Sequence, residues 1–308
     1  MKKKILVTGS NGLLGQKITD IILQRNNFEL IATSLGTNRH VKQSGYIYHE
    51  LDICNPSELA AVITQHHPDA IINTAAMTNV DLCEKEQEQC FQLNVVAVEN
   101  LIKICARENI QLIHLSTDFI FDGKNGPYSE TDAPKPLSYY GQSKWEAEKL
   151  LINSLSHFAI LRTIIVYGVA NNMSRSNIVL WAKSALEKGE TLRVVNDQWR
   201  MPTLAEDLAE CCLLAVNKEA QGIFNVSGKD MMNMVELVQR VANFWNLNTK
   251  LIQPITSDSL AQTAKRPSKT GFILDKAIKE LDYQPHSFEE GLAILDNQLK
   301  AEKFQSIA

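Results

Sequence analysis

The first half of the chain alternates short apolar runs with longer segments whose apolar residues recur at helical spacing. The apolar runs predict strands at Lys4–Thr8, Glu29–Ser34, Tyr46–Leu51, Ala70–Thr74, Gln111–Ser116 and Phe158–Tyr167. The segments between them predict helices at Leu13–Gln24, Pro56–Gln65, Val80–Glu108 and Tyr139–Ser154. Nearly all-apolar strands separated by helices are typical of a parallel sheet covered on both faces. The pattern therefore predicts a Rossmann-type doubly wound α/β domain over about the first 165 residues.

The rhythm changes after Gly168, where strand-like runs become fewer. Helical spacing predicts helices at Ile178–Lys188, Ala205–Val216, Met234–Trp245, Leu274–Leu281 and Phe288–Lys303. Strands are predicted at Thr191–Val195, Gly222–Ser227 and Lys250–Ile255, and we expect the second of these to rejoin the large sheet. We therefore divide the chain into a Rossmann domain of residues 1–168, with about 222–248 returning to it, and a smaller α/β domain of residues 169–221 and 249–308.

Composition narrows the class of protein. Hydrophobic residues make up 44% of the 308 residues and charged residues 21%, enough apolar material for a buried core. The net charge of −4 gives no basic excess that would attract nucleic acid or a membrane surface. The six cysteines contain no CxxC pair, and the seven histidines form no metal-binding motif. With no transmembrane run and no signal-peptide core, we expect a cytoplasmic protein without nucleic-acid, membrane or metal partners.

A glycine-rich loop follows the first predicted strand and opens the first predicted helix. It reads Thr8-Gly-Ser-Asn-Gly-Leu-Leu-Gly15, so its glycines are spaced GxxGxxG. Gly9 permits a tight turn, Gly12 leaves room for a pyrophosphate, and Gly15 lets the helix lie close to the strand. The helix N-terminus offers free N–H groups to phosphate. The loop, including Asn11, is a candidate dinucleotide-binding site.

The end of the second strand bears on the choice of dinucleotide. NAD sites usually place an acidic residue there to bind the ribose 2′-hydroxyl. This chain has no acid in Ile31–Gly36, and Arg39 follows. An arginine can pair with a 2′-phosphate, so NADP is favoured, with NAD as the alternative.

A tyrosine and a lysine stand four residues apart on the predicted helix Tyr139–Ser154. Tyr140 and Lys144 share a helix face, whereas the residue four after Tyr139 is Ser143. A nearby ammonium stabilises phenolate, so Lys144 is expected to lower the pKa of Tyr140 toward neutrality. Tyr140 is therefore a candidate acid–base residue.

A hydroxyl and a carboxylate end the strand before that helix. Thr117 and Asp118 follow Leu112–Ser116, and ligands of open α/β sheets bind beyond the carboxyl ends of the strands. Thr117 is placed to hydrogen-bond a substrate carbonyl. The glycine loop, Thr117 and the Tyr140–Lys144 pair together are far more specific than any one of them.

Motifs along almost the whole chain carry a family resemblance. They are the glycine loop, Asp52–Ile53, Ile72–Asp81, Ser116–Gly123, Tyr140–Lys144, Leu161–Thr163, Val166–Gly168, Asp197–Gln198, Pro202–Thr203 and Arg266–Pro267. With them the chain resembles the extended short-chain dehydrogenase/reductases, and within these the dTDP-4-dehydrorhamnose reductases. The resemblance implies NADPH-dependent reduction of the C4 keto group of a nucleotide-linked 4-keto-6-deoxy sugar, with the smaller domain binding substrate.

The resemblance also implies roles for individual residues. Tyr140 would protonate the C4 alkoxide, Lys144 would hold the nicotinamide ribose, and Thr117 would hydrogen-bond the keto oxygen, with Asp118 touching the sugar. The implied cofactor contacts are Asp52 and Ile53 at the adenine, Gly12, Leu13 and Leu14 at the pyrophosphate, and Ala75, Ala76 and Thr78 along the cleft.

The chain also departs from the rhamnose-reductase pattern. Ile164-Ile165 stands where that branch has Ser-Trp, and His286 stands where it has Trp. Asp197–Arg200 and Val226–Met232 resemble instead the regulatory subunit of methionine adenosyltransferase, which binds NADP and modulates a partner enzyme. Two alternatives therefore stay open: a reductase for another sugar nucleotide, and a non-catalytic NADP-binding regulator. A homodimer is also left open.

Overall fold

The computed structural model describes residues 2–172, 176–260 and 262–305. Seven parallel strands form its central sheet, in the order β11-β6-β5-β4-β1-β2-β3. The strands of the described residues are β1 (Lys4–Thr8), β2 (Glu29–Ser34), β3 (Ile47–Glu50), β4 (Ala70–Asn73), β5 (Gln111–Thr117), β6 (Phe158–Thr163), β7 (Val166–Tyr167), β8 (Leu192–Val195), β9 (Trp199–Arg200), β10 (Thr203–Leu204), β11 (Gly222–Asn225), β12 (Met232–Asn233) and β13 (Ile252–Ile255).

The strand order reverses direction between β1 and β4, which creates a crevice at their carboxyl ends. Each neighbouring pair in the sheet is parallel, and Ile5, Leu6, Ile71 and Ile72 are fully buried in its centre. The predicted doubly wound α/β fold is confirmed.

Helices cover both faces of this sheet. In the described residues they are α1 (Leu13–Arg25), α2 (Pro56–His66), α3 (Val80–Lys85), α4 (Gln87–Phe91), α5 (Ala97–Glu108), α6 (Tyr139–Ser154), α7 (Ile178–Glu187), α8 (Ala205–Asn217), α9 (Met234–Phe244), α10 (Asp275–Leu281) and α11 (Phe288–Gln305). The apolar sides of α1, α8 and α10 pack on one face, and those of α2, α5 and α6 pack on the other. None of these described helices is long and apolar enough to cross a membrane.

A second apolar core lies beside the sheet. Helices α7, α9 and α11 form it together with a small parallel sheet of two strands, β8 and β13. Three helices differ from the expected division of the chain. Helices α8 and α10 pack on the large sheet with α1, and α9 packs in the second core. The apolar spacing of a helix gives its buried face but not the core that buries it.

Two predicted elements are interrupted. The predicted helix Val80–Glu108 breaks at Glu86 into α3 and α4, and a π-helical segment, Gln92–Val96, joins α4 to α5. The predicted strand Phe158–Tyr167 ends at Thr163 because Ile165 takes a left-handed backbone, φ 34°, that a strand cannot include. The chain then enters β7, which pairs with β10 outside the central sheet.

Candidate active site

The glycine loop lies at the crevice, and the backbone around it shows why two of its positions must be glycine. Gly9 has φ 67°, and a Cβ there would lie 2.8 Å from the Ala75 nitrogen. A Cβ on Gly15 would lie 2.5 Å from Ser10 Cα, so α1 could not approach the loop. Gly12 is the N-cap of α1 and donates its N–H to the Gly9 oxygen at 2.9 Å. The loop thus holds the start of α1 against β1.

The start of α1 fits a phosphate group. No side chain caps the helix, and no acidic residue lies in its first turn. Within the described residues, the buried Ser10 Oγ has no hydrogen-bond partner. The first-turn N–H groups, on Leu13, Leu14 and Gly15, lack intrahelical acceptors and carry the positive end of the helix dipole. These donors suit the pyrophosphate of a dinucleotide.

Asn11 acts within the protein rather than pointing freely into the crevice. Its Nδ2 donates to the carbonyl oxygens of Leu35 and Thr37, at 3.3 and 3.0 Å, and to the Tyr48 hydroxyl at 3.1 Å. Its Oδ1 accepts from the Arg39 N–H at 2.8 Å. Asn11 therefore holds the loop after β2, which carries the exposed Arg39 side chain beside the crevice.

The other candidate cofactor residues lie after β3 and β4. Ile53 is buried in the core beneath α2, and Asp52 Oδ1 accepts from the Cys54 N–H at 2.9 Å. Ile53 therefore belongs to the core, and Asp52 Oδ1 shapes the turn before α2. Ala75 and Ala76 are half-buried and Thr78 is exposed in the segment between β4 and α3. This segment follows the strand next to β1, so it borders the glycine loop.

Tyr140 and Thr117 are brought together by close packing of α6. The Ser138 hydroxyl caps α6 by accepting from the Gly141 N–H at 3.2 Å. A Cβ on Gly141 would lie 2.2 Å from the Phe119 oxygen, so α6 begins directly against the turn after β5. The Phe119 ring packs edge-on to Tyr140, with centroids 5.8 Å apart. Tyr140 and Lys144 are both buried, at 8% and 3% exposure.

Burial dominates the electrostatics of this pair. It raises the pKa of Tyr140, while the neighbouring Thr117 hydroxyl opposes the rise. Burial also lowers the pKa of Lys144 to about 8, against the charge of Glu148. The expectation that Lys144 brings the pKa of Tyr140 toward neutrality is therefore wrong for this structure, because desolvation of the phenolate outweighs its neighbours.

Thr117 and Asp118 belong to a buried polar network. Thr117 Oγ1 accepts from the Phe119 N–H at 3.2 Å and donates to Asp118 Oδ1 at 3.1 Å. Asp118 Oδ2 accepts from the Thr270 hydroxyl and lies 3.6 Å from Arg200 Nε. Burial raises the pKa of Asp118, while Arg200 and Thr270 oppose it. The carboxylate that was expected to touch a sugar is thus engaged by the protein.

Residues 262–272, which we call the strap, cross this network. Arg200 Nη2 donates to the Pro267 oxygen at 2.7 Å, and Ser268 Oγ donates to the Gly123 oxygen at 2.9 Å. Next to Pro267, Arg266 Nη2 donates to Asp81 Oδ2 at 2.6 Å. The sequence marked Arg266-Pro267 as a motif, but only the fold shows that the strap closes one side of the site.

Asn94 is a site residue that the sequence analysis missed. In the π-helical segment, its Oδ1 accepts from the Met77 N–H at 2.8 Å and its Nδ2 donates to the Ser143 hydroxyl at 3.1 Å. It therefore ties the segment after β4 to α6. The sequence feature that could have pointed to Asn94 is its position as the one polar residue in the apolar stretch Leu93–Val98.

Two tryptophans are exposed near the late segments. Trp181 is 41% exposed on α7, and Trp199 is 37% exposed on β9, where its N–H donates to the Ser268 oxygen at 2.7 Å. Ile164 is buried and Ile165 is half-buried at the left-handed bend. Among the described residues, no group of three or more His, Cys, Asp or Glu side chains is arranged to hold a metal ion.

Comparison with known protein families identifies the family of this chain. The RmlD substrate binding domain family matches residues 2–300. The chain belongs to that family. The resemblance to the extended short-chain dehydrogenase/reductases and to the dTDP-4-dehydrorhamnose reductases is thereby confirmed.

The relatives of this RmlD-family chain include a dTDP-4-dehydrorhamnose reductase and methionine adenosyltransferase 2 subunits beta. It is 30% identical to the dTDP-4-dehydrorhamnose reductase of Aggregatibacter actinomycetemcomitans, covering 94% of this chain and 97% of that protein. It is also 30% identical to methionine adenosyltransferase 2 subunit beta of Danio rerio, covering 86% of this chain and 81% of that protein. A dTDP-4-dehydrorhamnose reductase ortholog from Clostridium acetobutylicum has the same fold, with a TM-score of 0.85 at 26% identity over 96% of this chain and 99% of that chain.

Proposed function

We propose that this protein is an NADPH-dependent reductase of the C4 keto group of a nucleotide-linked 4-keto-6-deoxy sugar, with dTDP as the favoured nucleotide. The observation that carries the proposal is the buried Tyr140–Lys144 pair beside Thr117, at the same sheet edge as the uncapped start of α1. The dTDP-4-dehydrorhamnose reductase relative supports the substrate class.

The proposed reduction needs a group that donates a proton to the keto oxygen. NADPH, when bound, supplies the hydride that reduces C4. Tyr140 then gives its phenolic proton to the oxygen, which becomes a hydroxyl, and is left as phenolate. The raised pKa of Tyr140 keeps this proton in place at neutral pH. Lys144, charged below its pKa of about 8, stabilises the phenolate that forms.

Thr117 has the second role at the keto oxygen. Its hydroxyl hydrogen goes to Asp118 in the structure, so binding of the substrate requires the hydroxyl to turn toward the keto oxygen. Such a donor speeds reduction only if it binds the alkoxide more strongly than the carbonyl. Thr117 and Tyr140 thus act on one oxygen from β5 and α6.

NADPH is proposed as the reductant because of the segment after β2. The absence of an acid there leaves room for a 2′-phosphate, and the exposed Arg39 side chain offers it a positive partner. NADH is the alternative, and the ratio of the two turnover rates separates them.

The test is consumption of NADPH with an enzymatically prepared dTDP-4-keto-6-deoxy sugar. Saturable turnover that depends on the sugar is expected, with the hydride found at C4 of the product. Tyr140→Phe removes the proton and should reduce kcat by about a hundredfold or more while leaving NADPH affinity unchanged. Tyr139→Phe is the matched control, because the half-buried Tyr139 does not share a helix face with Lys144. Equal rates for Tyr140→Phe and wild type would contradict the mechanism.

The second candidate is a non-catalytic regulator, which the methionine adenosyltransferase 2 subunit beta relative favours. It predicts NADPH binding without sugar-dependent turnover, and a change in the kinetics of a methionine adenosyltransferase when the two are mixed. Turnover of the keto sugar with no such effect would reject this candidate.

A further inference from the structure

Three polar side chains form a row across the central sheet below the candidate site. Asn73 is in register with Thr8 on β1 and with His114 on β5, so the three lie side by side. Thr8 Oγ1 lies 2.6 Å from Asn73 Oδ1, and the Asn73 amide nitrogen lies 3.1 Å from His114 Nδ1. Each of them is at most 1% exposed. Buried polar groups of this kind require partners, and the row supplies them.

The row ends on Lys144. Lys144 Nζ lies 3.2 Å from His114 Nε2, and in the described part of the chain His114 is the hydrogen-bond partner of that amino group. Burial lowers the pKa of His114 well below its usual value, and the Lys144 charge lowers it further. A neutral imidazole has one acceptor nitrogen, so Nε2 can accept from the Lys144 ammonium.

We infer that His114 is a positioning residue for Lys144, holding its ammonium on the Tyr140 side of α6 and stabilising the charged form. The inference rests on the function proposed above for Lys144. Through Asn73, the same row reaches Thr8, the residue before Gly9. It therefore fixes the lysine of the acid–base pair and the start of the glycine loop to one hydrogen-bonded unit.

The directions of the hydrogen bonds in this row depend on whether Lys144 is charged. In the structure the Asn73 amide nitrogen faces His114 Nδ1 and the amide oxygen faces Thr8 Oγ1, the orientation in which Nε2–H donates to a neutral Lys144 amine. A half-turn of the amide, together with the other imidazole tautomer, lets Nδ1–H donate to the amide oxygen and frees Nε2 to accept from the ammonium. Both directions leave every member of the row with a partner, so a buried lysine can be accommodated charged or neutral.

Other titratable groups near Lys144 and Tyr140 also affect the pKa values of these two residues. Glu148 on α6 and, when ionised, Cys90 on α4 favour the Lys144 ammonium. Asp118 after β5 and, when ionised, Cys83 on α3 raise the pKa of Tyr140. None of these is altered by substitution at His114. A change in Lys144 titration on that substitution therefore reports the His114 contact.

The first test measures Lys144 directly and needs no turnover. Protein carrying ¹³C at lysine Cε is titrated by NMR, and Lys144→Arg identifies the Lys144 signal. His114→Leu removes the acceptor, so the Lys144 midpoint should fall by about one unit, the size of one hydrogen bond to a charged group. His114→Gln, whose amide oxygen can accept, should return the midpoint toward the wild-type value.

The control is Ile113→Val on the same strand. Ile113 is fully buried in the core on the α1 side of the sheet, so this substitution perturbs β5 without touching Lys144. It should leave the Lys144 midpoint in place. An unchanged midpoint in His114→Leu, or an equal shift in Ile113→Val, would overturn the inference. If His114→Leu does not fold, His114→Gln is compared with His114→Ala in the same titration.

The second test is the pH profile of kcat/KM for keto-sugar reduction. Activity should fall as Lys144 loses its proton, so the alkaline limb should move to lower pH in His114→Leu and recover in His114→Gln. A shifted Lys144 midpoint in a protein that does not reduce the sugar would reject the proposed function and keep the His114 contact. Normal turnover with an unshifted profile would reject the His114 role and keep the function.

Discussion

At the scale of the residue, burial suits Tyr140 to the proton-donor role proposed for it. Reduction needs a phenol that still carries its proton, whereas oxidation of an alcohol needs phenolate. Burial raises the pKa of Tyr140, and its neighbours Asp118 and Cys90 add to the rise. A raised pKa favours the protonated phenol, which the proposed reduction needs because the alkoxide it forms is basic enough to take that proton.

Asn11 links the glycine loop to the segment that carries Arg39, the residue proposed to bind the 2′-phosphate. Its side chain fixes the Leu35 and Thr37 carbonyls and the Arg39 N–H. Asn11→Ala releases this loop, so Arg39 should bind a 2′-phosphate less well. We expect the KM for NADPH to rise about 3- to 10-fold, the range of one or two lost hydrogen bonds, with the KM for NADH little changed. Steady-state kinetics with both cofactors measures this.

The control for Asn11→Ala is Arg39→Ala, which removes the charge itself. If Asn11 acts through Arg39, the double substitution should cost hardly more than Arg39→Ala alone. Fully additive effects, or equal losses with NADPH and NADH, would mean that Asn11 acts on the cofactor by another route.

At the scale of elements, α6 is fixed by a buried ion pair. Arg162 on β6 and Glu148 on α6 are 1% and 0% exposed, with Nη2 and Oε2 2.7 Å apart. Arg162 also donates to the Glu130 carbonyl oxygen at 3.2 Å and lies over the Phe121 ring. The pair sits one helical turn beyond Lys144, so it sets where the acid–base face of α6 lies on the sheet.

Removing one partner of that pair leaves a buried charge. Arg162→Met should lower the free energy of unfolding by about 3–5 kcal/mol in a denaturant titration. Lys149→Met breaks the exposed pair with Glu146 on the same helix and should cost less than about 1 kcal/mol. Adding Glu148→Leu to Arg162→Met should recover part of the loss. Similar costs for the two single substitutions would show that the buried pair does not hold α6.

At the scale of the molecule, the strap joins late sequence to early sequence across the site. Arg266 donates to both oxygens of Asp81, and the Ala264 N–H donates to Asp81 Oδ1 at 3.0 Å. Hydrogen bonds from Arg266 hold the pKa of Asp81 below its usual value. The pair therefore carries full charge at neutral pH and closes the strap onto α3.

Loosening the strap should affect the sugar nucleotide more than the cofactor. Asp81→Asn weakens the pair, and we expect a rise of about 5- to 30-fold in the KM for the keto sugar, the cost of a charge-assisted hydrogen bond. The dissociation constant for NADPH, measured by fluorescence, should stay unchanged. Asp282→Asn is the control, because it weakens an exposed pair with Lys218. A parallel loss of NADPH affinity in Asp81→Asn would contradict this role of the strap.

The sequence determined the alternating order of elements and most of their bounds. Buried parallel strands must be almost wholly apolar, and the glycines are required where backbones approach, so both leave marks along the chain. The Tyr140–Lys144 spacing and Thr117 at the end of β5 were readable for the same local reason. Family membership followed from these motifs.

Only the tertiary structure decided which core each late helix joins and in which direction burial shifts the pKa of each ionisable site residue. Apolar spacing gives the buried faces of α8 and α9, whereas contact with α1 or with α7 decides which core each helix joins. The raised pKa of Tyr140, the engagement of Asp118 by Thr270, and the row from Thr8 to Lys144 depend on residues far apart in sequence. Burial and hydrogen bonding are properties of neighbours in space, and one-dimensional spacing does not specify them.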